Sequence, residues 1–216
     1  LYDFKQKIVN IPLFFLDGHE IDLSLKNYRK ARNKFLWFGS AGAVHKGLDV
    51  LFNVFKERDD IELYVCGLRK EEYSFHLYYK DEVSNNIPNI KNLGFVKLES
   101  PQFKQILNDC VSVICPSVSE GGAASVLNIM GNGGLIPIVS KATGLEMEDN
   151  CYILENISEG HVSKAIDEVL KISEKELFQM SQQIMNYTKS YHSIENYRTT
   201  LKKHILSQTV ENSLDE

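Results

Sequence analysis

The residues best suited to hold an anionic ligand lie between positions 111 and 140. They are a carboxylate, Glu120, two glycines, Gly121 and Gly122, with Ala123 behind them, and a carboxamide, Asn128, eight positions after the carboxylate. The apolar run 111–115 reads as a buried strand, 122–131 as a short helix stopped by Gly131, Gly133 and Gly134, and 135–139 as a second buried strand. This order sets Glu120 and the glycine backbone at the carboxyl end of a strand and the start of a helix. First-turn N–H groups there are unpaired and favour anions. Each glycine in a first turn loses about 1 kcal/mol against alanine, so close approach of a ligand to bare backbone is the expected reason for the pair. Asn128, roughly two turns along, faces the same cleft from deeper in. The plainer reading of Glu120 is a helix cap.

A second loop carries a cation. Phe35-Leu36-Trp37-Phe38 reads as a strand, and Gly39-Ser40-Ala41-Gly42-Ala43-Val44-His45-Lys46-Gly47 as a small-residue loop. The helix after it places Leu48, Leu51, Phe52 and Phe55 on one face. A lysine at a helix start opposes the helix dipole unless an anion joins the two positive ends. Lys46 is therefore a candidate anion ligand, the alternative being a solvated lysine. His45 beside it reads as ordinary surface.

The strand-and-helix alternation continues along the chain. Strands are expected at 61–67, 90–96 and 152–154, and helices at 71–80 and from Pro101, where the missing N–H of proline is harmless. Beyond His161 the chain reads as helical, with Val162, Ala165, Ile166, Val169 and Leu170 forming one apolar stripe. The fold class expected is α/β: a Rossmann-like, open, mostly parallel six-stranded sheet with helices on both faces and C-terminal helices. Residues 1–33 read as a linker that leads into the domain, with an extended stretch from Ile8 to Phe15. Residues 34–190 read as the domain itself, and 191–216 as a C-terminal helix with a frayed tail from Ser207.

Totals narrow the function classes. The formal charge of −5 argues against broad nucleic-acid binding, and no stretch reaches the apolar length of a spanning helix. Cys66, Cys110, Cys115 and Cys151 match no zinc or redox spacing, and read as small buried hydrophobes in a reducing, cytoplasmic setting.

Taken together, these segments resemble the C-terminal, nucleotide-sugar-binding domain of the group 1 (family four) retaining glycosyltransferases of GT-B architecture. The resemblance covers about residues 34–190. It is carried by Phe38-Gly39 with Lys46-Gly47-Leu48-Asp49, by Leu63-Tyr64-Val65-Cys66-Gly67, and by Leu93-Gly94-Phe95-Val96. The largest piece is Pro116-Ser117, Glu120-Gly121-Gly122, Ser125, Asn128-Ile129-Met130-Gly131, Gly133 and Pro137-Ile138-Val139-Ser140, ending in Thr143-Gly144.

What the resemblance implies is specific. Glu120 would contact the donor sugar, and Gly121, Gly122, Ala123 and Lys46 would hold the diphosphate. The base would lie against Gly94, Phe95 and Val96, and Asn128 would reach the ribose. Gly39 and Ser40 would line the diphosphate side. The implied catalytic pair is Glu120 and Lys46, with no metal and no cofactor beyond the nucleoside-diphosphate-sugar donor. The implied partners are a saccharide or lipid-linked acceptor and an N-terminal acceptor-binding domain, which makes the chain an expected half of a longer cytoplasmic enzyme, inactive alone and held to the cytoplasmic face of a membrane through that other domain.

Two positions depart from the family pattern. Its second glutamate is Asn128 here, a neutral partner, and the arginine after the first glycine is Ser40. The nucleotide stays open among UDP, GDP and ADP. Two other readings remain: a GT-B sugar-nucleotide epimerase, and a non-catalytic nucleotide-sugar-binding or scaffold domain. A dinucleotide site fits poorly, because Gly39-Ser40-Ala41-Gly42 has no third glycine at fingerprint spacing and Cys66-Gly67 ends the second strand without an acid.

Overall fold

The computed structural model describes residues 9–212 except 146 and 148, with side chains described to residue 206. Ile8 and residues 213–216 of the expected tail lie outside the described residues. Six strands, Lys34–Phe38 (β1), Glu62–Cys66 (β2), Ile90–Gly94 (β3), Ser112–Cys115 (β4), Ile136–Ser140 (β5) and Tyr152–Leu154 (β6), form one sheet in the order β3-β2-β1-β4-β5-β6. Every pairing is parallel. The inner strands are buried along nearly their whole length, so they read in sequence as unbroken apolar runs instead of alternating ones.

Helices cover both faces. Tyr28–Ala31 (α1), Pro101–Asp109 (α5), Ala124–Gly133 (α6) and Glu174–Tyr191 (α8) pack against one another on one side. Leu48–Lys56 (α2), Tyr73–Tyr78 (α3), Lys80–Val83 (α4) and Glu159–Leu170 (α7) occupy the other. Helix α5 starts as its sequence requires: Ser100 Oγ accepts from Phe103 N at 3.2 Å and Pro101 fills the first turn. At the head of α8, Ser173 and Glu176 form a reciprocal capping box.

Several expected boundaries move, each for a visible reason. The helix expected at 71–80 breaks at Tyr79, which turns out of helical geometry while its ring and that of Phe75 pack on Phe52, with centroids 5.3 and 5.7 Å away. Strand β3 ends at Gly94, whose φ of +68° takes Phe95 and Val96 into a loop. Helix α6 begins at Ala124, so Gly121 and Gly122 precede it and carry no helix-propensity penalty. The last described helix, Ile194–Asn212 (α9), includes the first residues of the expected tail.

The expected extended stretch contains no strand over 9–16; a different device ties it down. Phe15 N donates to His192 O at 3.1 Å, and His192 Nδ1 pairs with Leu13 O at 2.7 Å. Asn132, fully buried on α6, accepts from His19 N at 3.0 Å and donates to Leu16 O at 2.8 Å. An ion pair to Lys189, at 2.7 Å, holds the Glu20 carboxyl at about 2, well below its ordinary range. Phe15, Ile21, Leu23, Tyr28 and Ala31 join the same core as the sheet.

Lys26 is buried in that core, where its ammonium donates to Leu107 O at 2.8 Å. Burial lowers its pKa from 10.5 to about 7. A lysine depressed in this way destabilises the fold fully below the folded value, and the penalty fades as pH rises towards the unfolded one. The stability difference between Lys26→Met and the wild type is therefore expected to move in favour of the wild type by a few kcal/mol as pH rises from about 7 towards 10. Urea unfolding of both proteins across that range reads it directly.

Candidate functional site

Strand order reverses between β1 and β4, which lie side by side with Phe35 opposite Ser112 and Leu36 opposite Val113. In open α/β sheets the crevice at the carboxyl ends of such strands is where ligands bind. The loop after β1 carries Lys46 and the loop after β4 carries Glu120, so the topology itself brings the two together.

The β1 loop is braced on all sides. Gly42 N and Ala43 N both donate to the Glu72 carboxylate, at 2.9 and 2.8 Å. Trp37 Nε1 donates to Lys46 O at 3.2 Å. Gly47 has φ +69°, and a Cβ on it would fall 2.3 Å from Pro116 O, so the two loops touch backbone to backbone. His45 pairs through Nε2 with Ser119 O, while its own carbonyl accepts from Val118 N at 3.0 Å and Ser117 Oγ at 3.1 Å. His45 thus serves as a strap between loops.

Within this frame Lys46 and Glu120 form an ion pair through Nζ and Oε1, with 14% and 16% of their side chains exposed. Ser117 Oγ, which shares its one proton with His45 O, lies 3.3 Å from the same carboxylate oxygen, and Glu120 N donates to Ala142 O at 2.9 Å. Each ion is thereby matched by the other. Cys115, just behind, is pushed up to about 12 by burial and by Glu120 beside it. Burial also holds Cys66 and Cys151 at about 12 and Cys110 well above its ordinary value, so these thiols stay protonated at neutral pH.

Two cavities meet the pair. A groove of ≈ 380 Å³ is walled on one side by Phe38, Gly39, Ser40 and Lys46, on another by Phe95 and Val96, and on α6 by Ser125 and Asn128. Phe95 is 79% exposed, an unusual state for a phenyl ring and one that suits stacking against a planar partner. A second cavity of ≈ 410 Å³ includes Glu120, Gly121, Gly122, Leu13, Lys141 and His192. A larger one, ≈ 890 Å³, runs along α8 past Tyr187 and Tyr191 and touches neither Lys46 nor Glu120. The first two are therefore the chemically relevant ones.

The residues singled out from sequence divide between these spaces. Gly39, Ser40, Lys46, Phe95, Val96 and Asn128 share the first groove, and Glu120, Gly121 and Gly122 line the second. Gly94 aims the Phe95 loop from the end of β3, and Ala123 is buried at the N-cap of α6 with φ +46°. Because Val126 N and Leu127 N both donate to Ala123 O, the first-turn amides left without an intrahelical acceptor are those of Ala124 and Ser125. Gly122 has φ +117°, a backbone conformation that favours glycine, and Leu13 Cδ1 packs 2.6 Å from where its Cβ would stand, whereas a Cβ on Gly121 would meet open space.

Sequence reasoning missed Lys97, Glu99 and Leu98, which complete the first groove, and Asn132, Leu13 and His192, which hold the lead-in segment. Asn132 had a signal: a carboxamide four positions after Asn128 in an otherwise apolar helix. Among the described residues no cluster of His, Cys, Asp and Glu is arranged to hold a metal ion.

The family model of the glycosyl transferases group 1 matches residues 23–190. The chain belongs to this family. No curated protein matches it by sequence. Among solved structures, HepE of Anabaena in complex with UDP and glucose superposes with a TM-score of 0.66 at 13% identity, over 81% of this chain and 48% of that one. The catalytic domain of the cholesterol-alpha-glucosyltransferase from Helicobacter pylori gives 0.59 at 20% identity, over 74% and 99%. The C-terminal domain of the group 1 family protein LpcC from Francisella tularensis gives 0.57 at 16% identity, over 76% and 88%. At such identities the likeness is one of fold, and it makes this group 1 chain a Rossmann-like half of the GT-B architecture. The chain spans about half the length of HepE.

Proposed function

We propose that this group 1 chain is the donor-binding half of a retaining, metal-independent family-four glycosyltransferase. It would move a sugar from a nucleoside-diphosphate sugar to a saccharide or lipid-linked acceptor held by an N-terminal domain, at the cytoplasmic side of the cell. In this reading the base lies on Phe95 and Val96, the ribose meets Ser125 and Asn128, and the diphosphate lies against Lys46, Ser40 and the amides that open α6. Glu120, between the two cavities, orients the donor sugar in the second. Transfer exchanges the bond from the anomeric carbon to the diphosphate oxygen for one to the acceptor oxygen, and the acceptor proton passes to diphosphate or solvent. Lys46 and the fixed amides act on the charge that grows on the departing diphosphate, which is where preorganised donors lower a barrier most.

The observation that supports this reading is that one small groove at the strand-order switch joins a cation, free helix-start amides and an exposed aromatic ring. The test is calorimetric titration of the chain with UDP, GDP and ADP. One of the three is expected to bind, and binding of none would overturn the proposal. The same chain alone is expected to show negligible transfer; turnover of a nucleotide sugar onto an acceptor by residues 1–216 would contradict the division of labour between domains. Lys97 stands in the groove as an additional, exposed cation. Lys97→Ala is expected to lower diphosphate affinity by about three- to tenfold and to flatten its dependence on salt; equal affinity and equal salt dependence in calorimetry would place Lys97 outside the ligand's reach.

A further inference from the structure

Given a nucleoside diphosphate in the groove as proposed above, we infer that the site accepts 2′-deoxyribonucleoside diphosphates nearly as well as ribonucleoside diphosphates, because Asn128 offers the ribose a neutral amide whose oxygen is already engaged, where strong discrimination needs a charged acceptor. Leu16 N lies 2.7 Å from Asn128 Oδ1. A backbone N–H can only donate, so chemistry fixes which end of the carboxamide faces Leu16. What Asn128 has left for a ligand is Nδ2, a neutral donor, and the second lone pair of an oxygen already engaged by Leu16.

The lead-in segment cannot easily release that oxygen. One turn along α6, Asn132 Nδ2 donates to Leu16 O at 2.8 Å and to Asn128 O at 2.9 Å, and its Oδ1 accepts from His19 N at 3.0 Å. Leu16 is thus held at both its N–H and its carbonyl by the helix that lines the groove.

Ser125 and Asn128 lie three positions apart and share the groove face of α6. With the diphosphate at the helix start and the base on Phe95, the pentose between them meets these two side chains. A carboxylate at 128 would accept from both pentose hydroxyls in charge-assisted bonds, and a missing hydroxyl would leave one of its oxygens unpaired, which is how sites reject an analogue strongly. A half-buried amide nitrogen makes a weaker, neutral bond that water replaces when the 2′ hydroxyl is absent. Glu99 is the carboxylate that lines this groove, and it is exposed, so water competes for it as well.

The test measures calorimetric affinity for the pairs UDP and dUDP, GDP and dGDP, ADP and dADP, with the wild-type chain and with Asn128→Asp. The aspartate is isosteric, keeps an oxygen for Leu16 N and turns the other end into an acceptor. For the nucleotide that binds, the wild type is expected to prefer ribose by less than about fivefold, and Asn128→Asp to raise that preference to about tenfold or more. A wild-type preference above about tenfold, or a ratio left unchanged by Asn128→Asp, would overturn the inference while leaving the nucleotide site standing. Binding of none of the six would overturn the site itself.

Discussion

Glu120→Gln is expected to tighten nucleoside diphosphate binding to this domain by about fivefold, roughly 1 kcal/mol, even though it removes the residue assigned to the donor sugar. The sign follows from the ion pair. Lys46 Nζ is bound to Glu120 Oε1, so a diphosphate has to draw the lysine away from a carboxylate and then sit near that carboxylate. Glutamine removes both penalties and keeps the shape. In the two-domain enzyme proposed above, transfer should fall by about 100- to 1,000-fold in the same variant, the scale seen when a polar group that acts on the transition state is removed. Lys46→Ala moves binding the other way, weakening it by about tenfold or more. If Glu120→Gln weakened the diphosphate as Lys46→Ala does, the pair would be a joint ligand and not a switch between partners.

The second large effect is on stability. Gly47→Ala is expected to lower it by about 3 kcal/mol or more, because a left-handed φ and a clash with backbone have to be relieved together. The position has φ +69°, its Cβ would fall 2.3 Å from Pro116 O, and the loop that owns this carbonyl is tied to His45 O through Ser117 Oγ and Val118 N. For a domain of this size that is a fall in melting temperature of about 6 to 12 °C. Gly160→Ala gives the contrast: nothing lies within 4 Å of its Cβ and the residue is helical, so the change should be neutral or slightly stabilising. Calorimetric melting of the two variants separates the effects, and equal melting temperatures would mean that the β1 and β4 loops are not locked together as described.

The sheet was legible in the sequence because a parallel sheet covered on both faces leaves short, unbroken apolar runs, such as those around Leu36, Val113 and Ile138, separated by glycine. The pairing of Lys46 with Glu120 was legible only as two separate loops of a familiar pattern. Their adjacency depends on β1 and β4 being neighbours, a fact of strand order that no local window contains. The packing at Gly122 was hidden for the same kind of cause: Leu13, more than a hundred positions away, supplies a contact there. Local propensity could not show that Leu13, Leu16 and His19 are bound through their backbone by the side chains of Asn128, Asn132 and His192. Lys97 went unnoticed because a lysine in a polar loop carries no signal until the groove beside it exists.

The lead-in segment gives the site a mechanical character. Leu13 presses on Gly122 and Leu16 holds Asn128, so both cavities are shaped partly by chain that lies outside the strand and helix units. Any displacement of that segment has to be felt at the glycine turn and at the groove.

The central claim is that a nucleoside diphosphate lies between Lys46 and Phe95 at the start of α6. Amide chemical-shift mapping of the labelled chain, titrated with whichever of UDP, GDP or ADP binds, tests it most directly. The largest shifts are expected at Ser40, Lys46, Phe95, Val96, Ala124 and Ser125, and they should collapse in Lys46→Ala. Shifts clustered instead along α8 at Tyr187 and Tyr191, with Lys46 and Phe95 unmoved, would contradict the account.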